Sequence, residues 1–138
     1  MTGRHATRRI ALTRLLVADY DAAIDWYTHA LGFRVFEDRP LGDGKRWVRI
    51  GPGHADDAAL LLAEPANDAQ RARVGDQTGG RVGFFAHTED FTGTHARLVD
   101  AGAKFEEQPR RESYGTVAVF SDPFGNRWDL IEPRETGQ

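Results

Sequence analysis

The sequence contains no cysteine and a single methionine. Without thiols, a disulfide framework and thiolate chemistry are both excluded. An excess of basic charge is missing as well: 18 Lys and Arg stand against 21 Asp and Glu, a formal charge of -3 with a pI of about 5.9. Nucleic acid and anionic membrane surfaces both demand a basic face, so neither is expected as a partner. Long apolar runs are absent too. "IALTRLLV" follows the basic "MTGRHATRR", but it is too short and too interrupted for a signal core, and nothing approaches membrane-spanning length. A soluble, cytoplasmic protein is expected.

Several catalytic constellations are also missing. No Ser-His-Asp or Cys-His spacing is recognisable. His5 and His54 fall in a tail and a loop, and His29 and His95 fall on helices as surface residues. The glycines of "EDRPLGDGKR" lack the following helix that a phosphate loop needs, so this segment reads as a solvated hairpin.

What is present suits one domain of 138 residues with an ordinary core. "IALTRLLV" (10–17) reads as a buried strand. "ADYDAAIDWYTHALGF" then changes to helical period, with Asp19 or Asp21 as cap and Gly32 as stop. "FRVFEDRP", "KRWVRI" and "AALLLAEP" read as three strands, the first two joined by the turn residues "LGDG". A polar linker, 66–80, is expected to hold a helical turn or two from Asn67. The pattern then returns. "RVGFFAHT" is a strand, "EDFTGTHARLVDAG" a helix with Phe91, Leu98 and Val99 on its apolar side, and "AKFEEQP", "YGTVAVF" and "RWDLIEP" three more strands.

The halves overlay. Asp19 falls over Asp90, Gly32 over Gly102, and "LLAEP" over "DLIEP" without a gap. The reading is α+β, two βαβββ modules: module one 9–65, linker 66–80 and module two 81–133 within a single domain 9–133. A flexible tail, 1–8, precedes it and another, 134–138, follows. In the last hairpin, "SDPFGNRWDLIEP", Asp122 accepts from nearby amides, Pro123 presets φ and Gly125 tolerates positive φ, so "DPFG" is first of all a register-setting turn.

This organisation, with "LLVADYDAAIDWYTHALGF" in one half and "FSDPFGNRWDLIEP" in the other, resembles the vicinal oxygen chelate superfamily of glyoxalase I, extradiol dioxygenases and bleomycin-resistance proteins. The resemblance implies a cup-shaped mixed sheet with helices on its outer face and a ligand inside. It also implies metal ligands on the first and last strand of each module. Carried over, those corners are Leu12, Leu61, Gly83 and Asp129. Zinc, nickel or iron sites need several imidazole or carboxylate donors, and one carboxylate cannot hold a divalent ion. Glu64 would supply a second acid only through a register shift. No metal and no cofactor are therefore expected.

Alternation from those corners turns Arg14 and Leu16 inward with Leu12, Phe85 and His87 with Gly83, and Arg127 and Ile131 with Asp129. Thr13, Leu15, Val17, Phe84, Ala86, Trp128 and Leu130 then pack on the helices. The expected ligand-binding residues are Leu12, Arg14, Leu61, Phe85, His87, Arg127 and Asp129, and no catalytic residue is assigned. Two readings of Asp129 stay open, ligand contact or a structural ion pair with Arg14 or Arg127. His87 is either a hydrogen-bonded strand-end residue or a group that contacts ligand or moves a proton. Trp47 faces either way. The expected function is metal-independent binding of a small aromatic or cationic compound, as in resistance-type sequestration. The alternatives are a glyoxalase-like lyase, a dioxygenase-like oxidoreductase, or a subunit with a vestigial cup. The resemblance further implies a homodimer, with cups completed within one chain or between two.

Overall fold

The first strand, β1 (Leu12–Leu16), is shorter than its apolar run, because it ends where helix α1 (Tyr20–Ala30) must begin. The computed structural model describes residues 6–134. The expected terminal tails lie mostly outside them, as does His5. Helix α1 starts at Asp19, whose carboxylate accepts from the Ala22 amide at 3.3 Å. It stops at Gly32, where φ is +69°. Strands β2 (Arg34–Gly42) and β3 (Lys45–Gly51) form a hairpin through Asp43 and Gly44, and β4 (Ala59–Ala63) completes the first half. The sheet order is β1-β4-β3-β2, with β1 and β4 parallel and the other pairs antiparallel.

A single helical turn, α2 (Asp68–Arg71), capped by Asn67, begins the linker as expected. Its later part returns to β1. The Gln77 side-chain amide donates to the Leu16 carbonyl at 2.9 Å and accepts from the Leu16 N–H at 3.3 Å. The linker thus closes part of an open strand edge.

The second half opens with β5 (Phe84–His87) and α3 (Phe91–Asp100), capped by Asp90 onto the Gly93 amide. Here the expected strand 103–109 is reduced to β6 (Lys104–Phe105), and an unexpected short strand, β7 (Arg110–Glu112), lies beyond it; both pair with β8 (Gly115–Ser121). The Glu107 carboxylate takes the Val119 N–H at 2.9 Å, where a continuous ladder would offer a backbone carbonyl, and Pro109 has no N–H to give. Strand β9 (Arg127–Pro133) pairs antiparallel with β8 and parallel with β5. The mixed sheet of the cup is thus present as two separate sheets, one per module, and no ladder joins them among the described residues.

One hydrophobic cluster serves both modules. Leu15, Val17, Val48, Ile50 and Leu62 from the first sheet and Ala118, Phe120, Trp128 and Leu130 from the second pack with Tyr27, Phe91 and Leu98 of the helices. The predicted alternation holds for these strands. Two details differ. Val99 is 49% exposed, since the buried stripe of α3 runs through Phe91 and Leu98. Thr13 is exposed at a cleft and does not pack under a helix.

A buried polar knot ties the modules together. Asp122, 4% exposed, accepts from Tyr27 Oη at 2.5 Å, Trp128 Nε1 at 3.0 Å and Asn126 Nδ2 at 3.2 Å, and also from the Phe124 and Asn126 amides. Burial, reinforced by the Asp122 charge, raises the Tyr27 hydroxyl well above its ordinary pKa, so it stays a donor. The "DP" turn is therefore the anchor of module one on module two as well as a register device.

Candidate functional site

Because the helix-facing sides of both sheets share one core, their opposite sides both point away from it. The expected ligand residues accordingly separate into two groups. Leu12, Arg14 and Leu61 lie on the first sheet; Phe85, His87, Arg127 and Asp129 lie on the second. Within one chain they do not converge on a single cup.

The two groups occupy equivalent places. Arg14 on β1 stands beside Leu61 on β4, and Phe85 on β5 stands beside Asp129 on β9. Each pair sits on the parallel ladder at one edge of its sheet. The internal repeat therefore puts one charged and one apolar side chain at the same spot in each half.

On the first sheet, β3 settles the side of Trp47. Val48 and Ile50 are fully buried in the core, so Trp47 and Arg49 share the opposite face with Leu61, which is Arg49's cross-strand neighbour. Glu37 organises this face. Its carboxylate accepts from Arg49 Nε at 2.6 Å, Trp47 Nε1 at 3.1 Å and Arg39 Nε at 3.4 Å, and the Arg49 bond foremost holds its pKa below the usual carboxylate range. Arg14 has no ion-pair partner among the described residues. A hollow of about 460 Å³ lies here, lined by Arg14, Leu16, Lys45, Trp47, Leu61 and Gln70 among others.

On the second sheet, Asp129 sits between Phe85 on β5 and Val119 on β8. Its Oδ1 is buried without a hydrogen-bond partner. Desolvation raises its pKa, with Arg110 opposing and Glu107 adding to the rise. Neither expected ion pair forms. Arg127 gives both its Nε and Nη2 to Glu106, at 2.8 and 2.7 Å, and its Nη1 to the Gly80 carbonyl. Arg14 lies on the other sheet. Arg110, whose charge opposes that rise, is shared between Glu107 at 2.8 Å and Glu112. Phe85 is 64% exposed, and His87 stands exposed beyond it, opposite Ile131. His95, expected on the surface, is half-buried instead and stacks on Phe105 with ring centroids 3.8 Å apart.

The sequence reading missed Glu37, Arg49, Glu107 and Arg110. Alternation around Val48 and Ile50 would have found Arg49. The strand break at Glu107 to Pro109 left no period from which to read Arg110. A cleft of about 580 Å³ also opens between the modules, lined by Thr13, Leu60, Phe84, His87 and Trp128 among others.

The residues at the four family corners do not fit a divalent metal. Leu12, Leu61 and Gly83 have no side-chain donor, and Asp129 offers one carboxylate. Glu64 is committed elsewhere, because its Oε2 accepts the Tyr20 N–H at 3.1 Å. Among the described residues, no three His, Cys, Asp or Glu side chains lie together as a metal would need.

The family model of the Glyoxalase/Bleomycin resistance protein/Dioxygenase superfamily matches residues 9–130. The chain belongs to this superfamily. An uncharacterised protein of Shewanella frigidimarina (strain NCIMB 400) is 43% identical over 119 residues, covering 86% of this chain and 88% of the relative. Among solved structures, UcmS2 superposes with a TM-score of 0.76 at 30% identity, covering 92% of this chain and 99% of its own. TnmS3, an antibiotic-binding protein from Streptomyces sp. CB03234, superposes with a TM-score of 0.73 at 29% identity, covering 95% of this chain and all of its own. No helix among the described residues of this superfamily member is long and apolar enough to cross a membrane.

Proposed function

We propose that the protein binds a small, partly aromatic molecule in a metal-free cup, as a sequestering protein does, and that two copies of the chain complete each cup. The observation that carries this reading is Asp129, a carboxylate with no hydrogen-bond partner for its buried Oδ1, beside the exposed ring of Phe85 on the sheet face that points away from the shared core. A planar ligand covers Phe85 and brings polar groups to the orphan oxygen. The likeness to TnmS3 supports a ligand of the antibiotic kind.

The second copy is argued from charge. The first-sheet face carries Arg14, Arg39 and Arg49 against Glu37, an excess of positive charge. The second-sheet face carries Glu106, Glu107, Glu112 and Asp129 against Lys104, Arg110 and Arg127, a small excess of negative charge. Placing the first face of one copy over the second face of its partner joins opposite signs twice, and pairing like faces does the reverse.

Isothermal calorimetry against flat antibiotics and aromatic metabolites, with a chelator present, tests the reading. Micromolar or tighter binding, about -8 kcal/mol or better, is expected for at least one compound class. Absence of heat with every compound in a folded sample, or binding that requires added zinc, nickel, iron or manganese, would overturn it.

A further inference from the structure

The charges on the two candidate faces are almost all spent on one another. Glu37 takes Arg39 and Arg49; Arg110 takes Glu107 and Glu112; Arg127 takes Glu106. His87 stands beside Phe85 on the same face of β5. Besides Lys45 and Lys104, exposed at the strand ends, the charged groups without an ion pair among the described residues of these faces are Arg14 on the first and Asp129 on the second. They occupy the two equivalent pairs, Arg14 with Leu61 and Phe85 with Asp129. Each leftover charge thus has an apolar neighbour at its side, and the two charges are opposite.

Resting on the shared-cup reading, we propose that the ligand is a flat dipolar molecule, a zwitterion or betaine, whose cationic end meets Asp129 of one copy and whose anionic oxygen end meets Arg14 of the other. Its apolar middle lies on Leu61 and Phe85. The guanidinium suits an anionic oxygen because its planar fork gives two parallel N–H donors. Asp129 suits a cation because its Oδ1 is desolvated and unpaired, and a cation supplies what Arg110, turned toward Glu107 and Glu112, does not. A ligand with one charge alone leaves the opposite group desolvated and uncompensated. Selectivity therefore comes from both ends together.

Three probes of similar size test this by calorimetry on the intact protein at neutral pH: 1-methylquinolinium-6-carboxylate, a zwitterion; 1-methylquinolinium, a cation; and 2-naphthoate, an anion. The zwitterion is expected to bind about tenfold or more tightly than either single-charge probe. Asp129→Asn should reduce the zwitterion to the level of naphthoate, and Arg14→Gln to the level of methylquinolinium. Equal affinity for all three overturns the assignment. So does a rescue pattern in which each single variant weakens every probe and the double variant restores binding, the mark of a direct Arg14–Asp129 pair between copies. If none of the three binds while aromatic antibiotics do, the dipolar class is wrong and the binding function stands. If nothing binds, both fall.

Discussion

Asp129 is a partly buried carboxylate that its own fold leaves, among the described residues, without a hydrogen bond or ion pair. Its neighbours in the sheet are Phe85 and Val119, its Oδ1 has no donor, and burial pushes its pKa up. A carboxyl that titrates higher in the folded state than in the unfolded chain keeps its proton longest when folded. The native state then binds more protons across that window, and stability falls as pH rises through it. Asp129→Asn should therefore be more stable than the parent at neutral pH, by roughly 0.5–1 kcal/mol, the scale of relieving a partly buried unpaired charge. The advantage should vanish in acid, below the ordinary Asp range, where both side chains are neutral. Thermal melts of the two proteins across pH check this; an Asn variant less stable than the parent at neutral pH would show that Asp129 has a structural partner.

At the scale of elements, the repeated "EP" is a device for starting helices. Glu64, at the end of β4, accepts the Tyr20 N–H of α1 at 3.1 Å, and Glu132 in β9 accepts the Phe91 N–H of α3 at 2.7 Å. Asp19 and Asp90 cap the same two turns. Each helix thus receives two carboxylates at its positive end. Glu132→Ala should cost about 1–2 kcal/mol, the usual range for loss of an N-terminal cap, and Glu64→Ala somewhat less because its bond is longer. Chemical denaturation measures both, and a loss below the experimental error for each would sink the capping role. The contacts of Glu64 and Glu132 were not read from the sequence, whereas the Asp19 cap, the Gly32 stop and the strand faces were legible because caps, glycine stops and strand alternation are local rules. They placed both helices, the buried strand faces and the αβ order. The break between β6 and β7 was not legible, because it depends on the Glu107 side chain reaching Val119, twelve residues away. The side of Trp47 follows from the same alternation that locates Arg49, once Val48 and Ile50 are known to enter the core. The ion pairs proposed for Asp129 failed because Glu106, which takes Arg127, lies on a neighbouring strand segment whose register no single-strand pattern reveals.

At the scale of the whole molecule, two sheets share one core and are pinned by Tyr27, Asp122 and Trp128, so each half-cup opens outward. The seven expected ligand residues divide between the halves, and the opposite charge of the two faces supplies a reason for a second copy. The family corners can be read along the chain, but whether one chain closes its own cup depends on how the modules dock, which no local pattern carries. Native mass spectrometry of the chelator-treated protein, titrated with an aromatic compound that binds it, tests the central claim most directly. The account predicts a dimer carrying two ligand molecules and no metal. A monomer that holds ligand by itself, or a complex that forms only with a bound metal ion, would contradict it.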